Sequence, residues 1–435
     1  MAEKLLTAEE NLERSTIERV TRRLIPFMCL MYALNILDRV NVGVASLSIS
    51  KNLHYSDAQY GFGAGIFFVG YFLFEVPSNI ILEKVGARRW MARIMVTWGI
   101  VATCMMFITP DPKLYYGLRF LLGIAEAGFF PGMIVYMTYW FPARVRARTG
   151  AKFIVANSLA NIFGPPIGAY LLRLDGRLGL HGWQWLFLME GLPSVFVGFI
   201  ALKYLTDRPQ NATWLPEDEK VWLIGQIERE NAARPKHASL LHVLKDKKVL
   251  HLCLLFFLWQ VVNNGISFFQ PKLLKFRSNW DDHTILLMTA VPAIFGAIAL
   301  FIAATYSDRL RERKKFLVAG LSSYIVGVAL IIKAPGAALT IAAMSFKEAC
   351  IKVGEGPFWA VATGFLSGTA SAGGIAMVNS VGNLGGFVGP YLMGELYRRT
   401  KSYDTGLWVL MFIMVAAAYS ASRIKHDNAV EHGVG

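Results

Sequence analysis

The stretch Asn157-Ser158-Leu159-Ala160-Asn161 recurs as Asn379-Ser380-Val381-Gly382-Asn383, 222 residues further on. Both copies lie in apolar surroundings, and both hold two amides four residues apart. The same offset lays Asp38 and Asn41 on Gln260 and Asn263. It also lays the basic loop Lys84 to Arg89 on Tyr306 to Arg311. One match is within chance; three at a single offset mark a chain made of two copies of one unit. Repeats related by an axis along the membrane normal build two-lobed transporters, with the site between the lobes near the midplane.

Around these matches the chain runs in apolar blocks of about twenty residues, the length that crosses ~30 Å of hydrocarbon as a helix. Hydrophobic residues make up 54% of the 435 and charged residues 17%, against about a quarter charged in soluble proteins. A dozen such blocks leave too little polar surface to cover a soluble fold. They fall near 24–48, 58–82, 90–109, 113–138, 149–172, 184–205, 249–271, 284–305, 316–333, 336–361, 371–396 and 406–423. The expected fold is therefore all-α and polytopic, with twelve transmembrane helices in two pseudo-symmetric six-helix bundles. The expected organisation is a cytoplasmic N-terminal segment 1–23, a lobe 24–205, a linker 206–248, a second lobe 249–423 and a tail 424–435. Within the linker, Trp214-Leu215-Pro216-Glu217 suits a helix start, and a short amphipathic helix is expected through Glu230.

A net charge of +14 suggests nucleic acid at first sight, but the positions of the charges argue against it. With both termini inside, inward segments carry most of the Lys and Arg, as the positive-inside rule requires. The clusters Arg144, Arg146, Arg148; Lys245, Lys247, Lys248; and Arg309, Arg311, Arg313, Lys314, Lys315 read as topology anchors facing anionic lipid. Residues 1–23 are polar, and the first apolar block is long enough to span rather than to be cleaved. Cys29, Cys104, Cys253 and Cys350 are expected to be free buried thiols. All eight histidines fall in loops, span ends or tails. No metal-ligand spacing and no phosphate-binding loop is present, so neither an enzyme nor a metal or other cofactor is expected.

Ionisable residues in mid-membrane cost roughly 2.5–3.5 kcal/mol and mark function by default. Asp38 and Arg39 lie in span 1. Arg119 and Glu126 lie in span 4, seven residues apart and so on one face. Helices 1 and 4 can bring two acids and two bases together. For Asp38 and Glu126 one reading is proton coupling, since burial disfavours an ionised carboxyl and a nearby cation favours it. The other is a permanent salt bridge. Arg39 is either a planar fork for a substrate carboxylate or a partner for these acids. Arg119 reads as an organiser of the lobe. Glu75 reads as an interlobe brace or a partner for loop arginines, and Glu190 as a structural pairing group.

Span 10 carries Lys347, Glu348, Lys352 and Glu355 before Gly356-Pro357-Phe358-Trp359. Glu348 and Lys352 are spaced to pair at i,i+4. The 222 offset makes Glu348 the counterpart of Glu126; aligning Pro131 with Pro357 makes it Lys352. Either Lys352 contacts a second carboxylate of the substrate, with Trp359 near it, or the stretch is locally paired and lines water. Asn157 and Asn383, with Gln260 and Asn263 of span 7, either bind substrate or cross-link helices.

These motifs together resemble the major facilitator superfamily, and within it the anion:cation symporters of the tartrate, phthalate and hydroxyphenylacetate permease type. The resemblance covers spans 1 to 12. It rests on Asp38-Arg39-Val40-Asn41, Phe74-Glu75-Val76-Pro77-Ser78-Asn79, Lys84-Val85-Gly86-Ala87-Arg88-Arg89, Arg119-Phe120 with Glu126-Ala127, Phe130-Pro131-Gly132, Gly182-Trp183, Glu190-Gly191, and the run from Phe365 to Tyr391. It implies that Asp38 and Glu126 carry protons. It also implies that Arg39, Arg119, Asn157 and Asn383 hold the anion, in a bacterial inner membrane. The four charges of span 10 depart from the family pattern, as does Ile36, where some sugar-acid members have Tyr. The expected function is proton-coupled import of a small organic carboxylate, a tartrate-like hydroxydicarboxylate or sugar acid. An aromatic-acid symporter, an uncoupled uniporter or exchanger, and a receptor that binds without transport are the alternatives. The expected partners are that carboxylate, protons and the lipid bilayer, with no nucleic acid, and a monomer is expected.

Overall fold

A computed structural model describes residues 2–232, 246–310, 313–365 and 371–424. The linker stretch 233–245 (with Lys245), Arg311, residues 366–370 and the tail from 425 lie outside the described residues. The chain is a bundle of long helices: α1 (Ala2–Leu53), α2 (Asp57–Val85), α3 (Ala87–Cys104), α4 (Pro112–Glu126), α5 (Phe129–Trp140), α6 (Ala143–Leu172), α7 (Gly182–Tyr204), α8 (Glu217–Ala232), α9 (Lys247–Phe276), α10 (Asp282–Leu310), α11 (Arg313–Lys333), α12 (Ala337–Phe365), α13 (Ser371–Asn383), α14 (Gly385–Thr400) and α15 (Tyr403–Ser422).

Among the described residues, nine segments are long and apolar enough to cross a membrane. The expected spans 5, 10 and 11 are helical too, but are not among the nine. Physical reasons are visible: α6 spreads Asn157, Asn161 and two prolines along its length, α12 carries four charges, and span 11 is split at Leu384 into α13 and α14. Span 4 is also split. Directly after Glu126 the chain leaves the helix at Ala127, passes through Gly128 at φ +83°, and resumes as α5. A side chain at Gly128 would be strained by that φ and would also meet Ser78.

The polar N-terminal segment is not a separate element. Span 1 continues backward as helix through it, with Thr16, Val20 and Leu24 buried. Arg19 pairs with Glu219 of α8 at 2.9 Å, so the linker helix is strapped to the extension of span 1.

Small residues let the backbones approach, as membrane helices require in the absence of a hydrophobic drive between them. Gly123 of α4 lies against the Phe67 carbonyl of α2, and Gly389 of α14 against the Val261 carbonyl of α9. The two bundles, α1–α7 and α9–α15, meet most closely at the end far from residues 20 and 424. There Gly61 and Gly65 of α2 lie against Pro390 and Phe387 of α14, and Gly394 lies against Asp57. Lys272 of α9 pairs with Asp57, and donates to Ser50 of α1 at 2.7 Å. Tyr403 of α15 donates to Asp57 at 2.7 Å. Tyr60 of α2 donates to the Phe268 carbonyl of α9 at 2.9 Å.

Candidate transport site

The four mid-membrane charges of the first lobe meet. Arg39 of α1 directs both its Nε and an Nη at one oxygen, Oε1, of Glu126 on α4. The other oxygen, Oε2, is buried without a hydrogen bond. Arg39 also lies over the rings of Tyr71, at 5.0 Å, and Phe67, at 5.4 Å, which hold its guanidinium plane on aromatic faces. Its side chain remains 28% exposed, whereas Glu126 is fully buried. Arg119 is buried two helix turns into α4. It donates to the Gly63 and Ala64 carbonyls of α2 at 3.3 and 3.2 Å, and so ties α4 to α2. One of its nitrogens, Nη1, has no partner. Asp38 is buried within electrostatic reach of Glu126, Arg119 and Arg39, and accepts from Asn41 at 3.1 Å.

Asn157 of α6 donates to the Tyr32 hydroxyl of α1 at 3.2 Å and takes a hydrogen bond from Asn161 at 2.9 Å. Sequence reasoning did not single out Tyr32, which accepts the Asn157 hydrogen bond and stacks on Phe153. It senses Arg39 on its own lobe, and Lys352 and Glu355 on the other. The side chains of Lys352 and Glu355 are 25% and 42% exposed.

Span 10 corrects one expectation. Glu348 and Lys352 are not the pair: Lys347 binds Glu348 at 2.8 Å, and Lys352 binds Glu355 at 2.7 Å. Lys347 is buried under the Tyr324 ring of α11, which draws Glu348 away from Lys352. The i,i+3 neighbour Glu355 takes its place.

On the second lobe, Gly382 packs on the Phe256 ring and Gly385 backs onto Gln260, which sets buried Asn383 against α9. Trp359 is half-buried in an edge contact with Phe256, at 5.2 Å, and with Phe358, at 5.1 Å. Asn263 keeps a buried amide oxygen without a partner. Among the described residues, no hydrogen bond or ion pair joins Gln260, Asn263, Asn383 or Trp359 to the Arg39 group. Glu75 is an interlobe brace: Asn379 donates to it at 2.8 Å, and Ser380 donates to its other oxygen. Among the described residues Glu190 has no cationic partner, against the expectation of a structural pairing group, and its Oε2 is buried and unpartnered.

A two-lobed helical bundle with charges buried in the core of its first lobe defines a membrane transporter rather than an enzyme. The chain belongs to the Major Facilitator Superfamily, whose model matches residues 28–390 and 277–429. It is 43% identical over 424 residues to a protein of Agrobacterium vitis named "Putative tartrate transporter", covering 97% of each chain. It is 39% identical over 408 residues to the "Quinolone resistance transporter" of Acinetobacter baumannii, covering 93% of each. Among solved structures it matches the partially occluded inward-open xylose transporter XylE of E. coli with a TM-score of 0.74 at 14% identity. That match covers 94% of this chain and all of the other, and it speaks to the fold alone.

Proposed function

We propose that this chain is a proton symporter of the anion:cation symporter type that imports a tartrate-like hydroxydicarboxylate by alternating access across a bacterial inner membrane. One observation carries the reading. Arg39, partly exposed, is held by a single oxygen of a fully buried glutamate, with Asp38 buried beside it. Guanidinium fits a carboxylate as a fork. A substrate carboxylate that takes Arg39 leaves Glu126 without its counter-charge in a water-poor site. An uncompensated buried charge costs about 3–5 kcal/mol, and a proton removes that cost. Substrate and proton then bind together. Lys352, held by Glu355, stands ready for the second carboxylate, and Asn157 with Tyr32 for a hydroxyl. The 43% identity to a protein named for tartrate supports the substrate class.

With both termini cytoplasmic, the joined end of the bundle faces outward and the site opens inward. A second reading, an aromatic acid, draws on Trp359, which lies two helix turns past Lys352 and so on its face. The test is uptake into proteoliposomes of tartrate, malonate, phthalate, 4-hydroxyphenylacetate and a sugar acid under an inward proton gradient, with and without protonophore. Protonophore-sensitive accumulation of tartrate supports the reading. Accumulation of phthalate or 4-hydroxyphenylacetate alone favours the aromatic acid. Equilibration indifferent to the gradient makes the chain a uniporter or exchanger and its buried acids structural.

A further inference from the structure

The core of the first lobe holds more acids than bases. Asp38, Glu75, Glu126 and Glu190 are buried there, against Arg39 and Arg119. Three of the four acids are provided for. Glu126 has Arg39, Glu75 has two donors from the second lobe, and Asp38 has Asn41 with Arg119 in reach. Among the described residues Glu190 of α7 has no cation, and only the Asn41 amide is in reach.

Its surroundings are narrow. From α1 it is faced by Asp38, a like charge, and by Asn41, within hydrogen-bonding reach. Its neighbour Gly191 packs on Gly99 and Thr103 of α3, and the Thr103 hydroxyl is already donated to the Gly99 carbonyl at 2.8 Å. Toward α6 the contact runs through Leu186 and Gly168, which carry no charge. Two buried oxygens face this place without a donor: Glu190 Oε2 and Asn41 Oδ1. Two acceptors cannot satisfy each other, and each unpaired buried polar group costs about 1–3 kcal/mol. One proton on Glu190 turns both into a single hydrogen bond.

The geometry points to Glu190 as a protonated carboxylic acid that donates to Asn41 Oδ1 and so fixes the amide whose N–H holds Asp38. Glu190 is then a positioning residue for the coupling acid and a second proton-holding site, distinct from Asp38 and Glu126. The role for Asp38 rests on the symport reading; the protonation of Glu190 does not. The proton count is fixed: one proton stays on Glu190 while Asp38 exchanges its own with water. With Glu190 neutral, Asp38 and Glu126 balance Arg39 and Arg119, and Glu75 is left to its neutral donors from the second lobe.

Infrared spectroscopy of the purified protein in lipid reads this without any substrate. At neutral pH the wild type is expected to show a protonated-carboxyl C=O band that Glu190→Gln loses and Asp38→Asn keeps. Asn41→Leu, which removes the acceptor, is expected to shift that band to higher wavenumber, and it serves as the second probe if the glutamine variant folds poorly. A wild-type spectrum identical to that of Glu190→Gln, or a band unmoved in Asn41→Leu, overturns the proposal while leaving symport untouched. Loss of coupling in Asp38→Asn with the band intact is the expected joint outcome. Coupling intact in Asp38→Asn removes the positioning role but not the protonated acid.

Discussion

Arg39 and Asp38 are adjacent in sequence and do different work. Arg39→Lys keeps the charge but loses the fork that directs two nitrogens at Glu126 and the flat contact with Tyr71. Charge-assisted hydrogen bonds are worth about 1.5–3 kcal/mol, so the apparent affinity for the anion is expected to fall roughly 10- to 100-fold in proteoliposome uptake. An unchanged KM would mean that Arg39 serves only Glu126. Asp38→Asn is close in shape but cannot exchange a proton. It is expected to abolish accumulation driven by a proton gradient while leaving exchange of internal for external substrate measurable. At this scale the sequence was most readable. A charge in an apolar block is visible by its residue type alone, so Asp38, Arg39, Arg119 and Glu126 stood out. Tyr32 did not, and Glu190 stood out only as a structural pairing group. An amphipathic Tyr in a span is ordinary, and only the fold shows that one senses Lys352 across the lobes and that the other lacks a cation.

Between elements, the clearest feature is the joint at the end of the bundle far from the termini. Lys272 and Asp57 are 5% and 10% exposed, and they tie α9 to α2 with Ser50 and Tyr403 in attendance. Removing one partner of a buried pair costs about 3–5 kcal/mol, while removing both costs less. Lys272→Met or Asp57→Asn alone is therefore expected to lower the thermal transition of the purified protein more than the two together. Additive losses would show that the pair is not coupled. Sequence placed Lys272 at the end of a span, where a lysine that reaches for the headgroups is the ordinary reading. The partner lies 215 residues away, which no local pattern reveals. The same limit explains span 10: i,i+4 spacing favoured Glu348 with Lys352, and the ring of Tyr324 on another helix decided otherwise. The breaks at Gly128 and Leu384 were equally hidden, because each lies inside a continuous apolar block. Gly128→Ala must adopt φ +83° against Ser78. It is expected to destabilise the lobe by roughly 1–2 kcal/mol, read as a fall in thermal transition temperature.

For the whole molecule, the duplication at one offset carried the architecture. It follows from the physics of a repeated unit whose site lies on the pseudo-symmetry axis. What it could not carry was asymmetry. Asp38 and Asn41 have counterparts in Gln260 and Asn263, so the second lobe lacks the acid and supplies instead Lys352 with Glu355. In the proposed reading, one lobe couples protons while the other reads the far end of the anion. The direct measurement is proton movement itself. Proteoliposomes in a weakly buffered medium, with no gradient imposed, receive radiolabelled tartrate as a neutral salt, and external pH is followed with uptake. The account predicts external alkalinisation in step with tartrate entry in the wild type, and none in Asp38→Asn. Tartrate entry in the wild type without alkalinisation would contradict it.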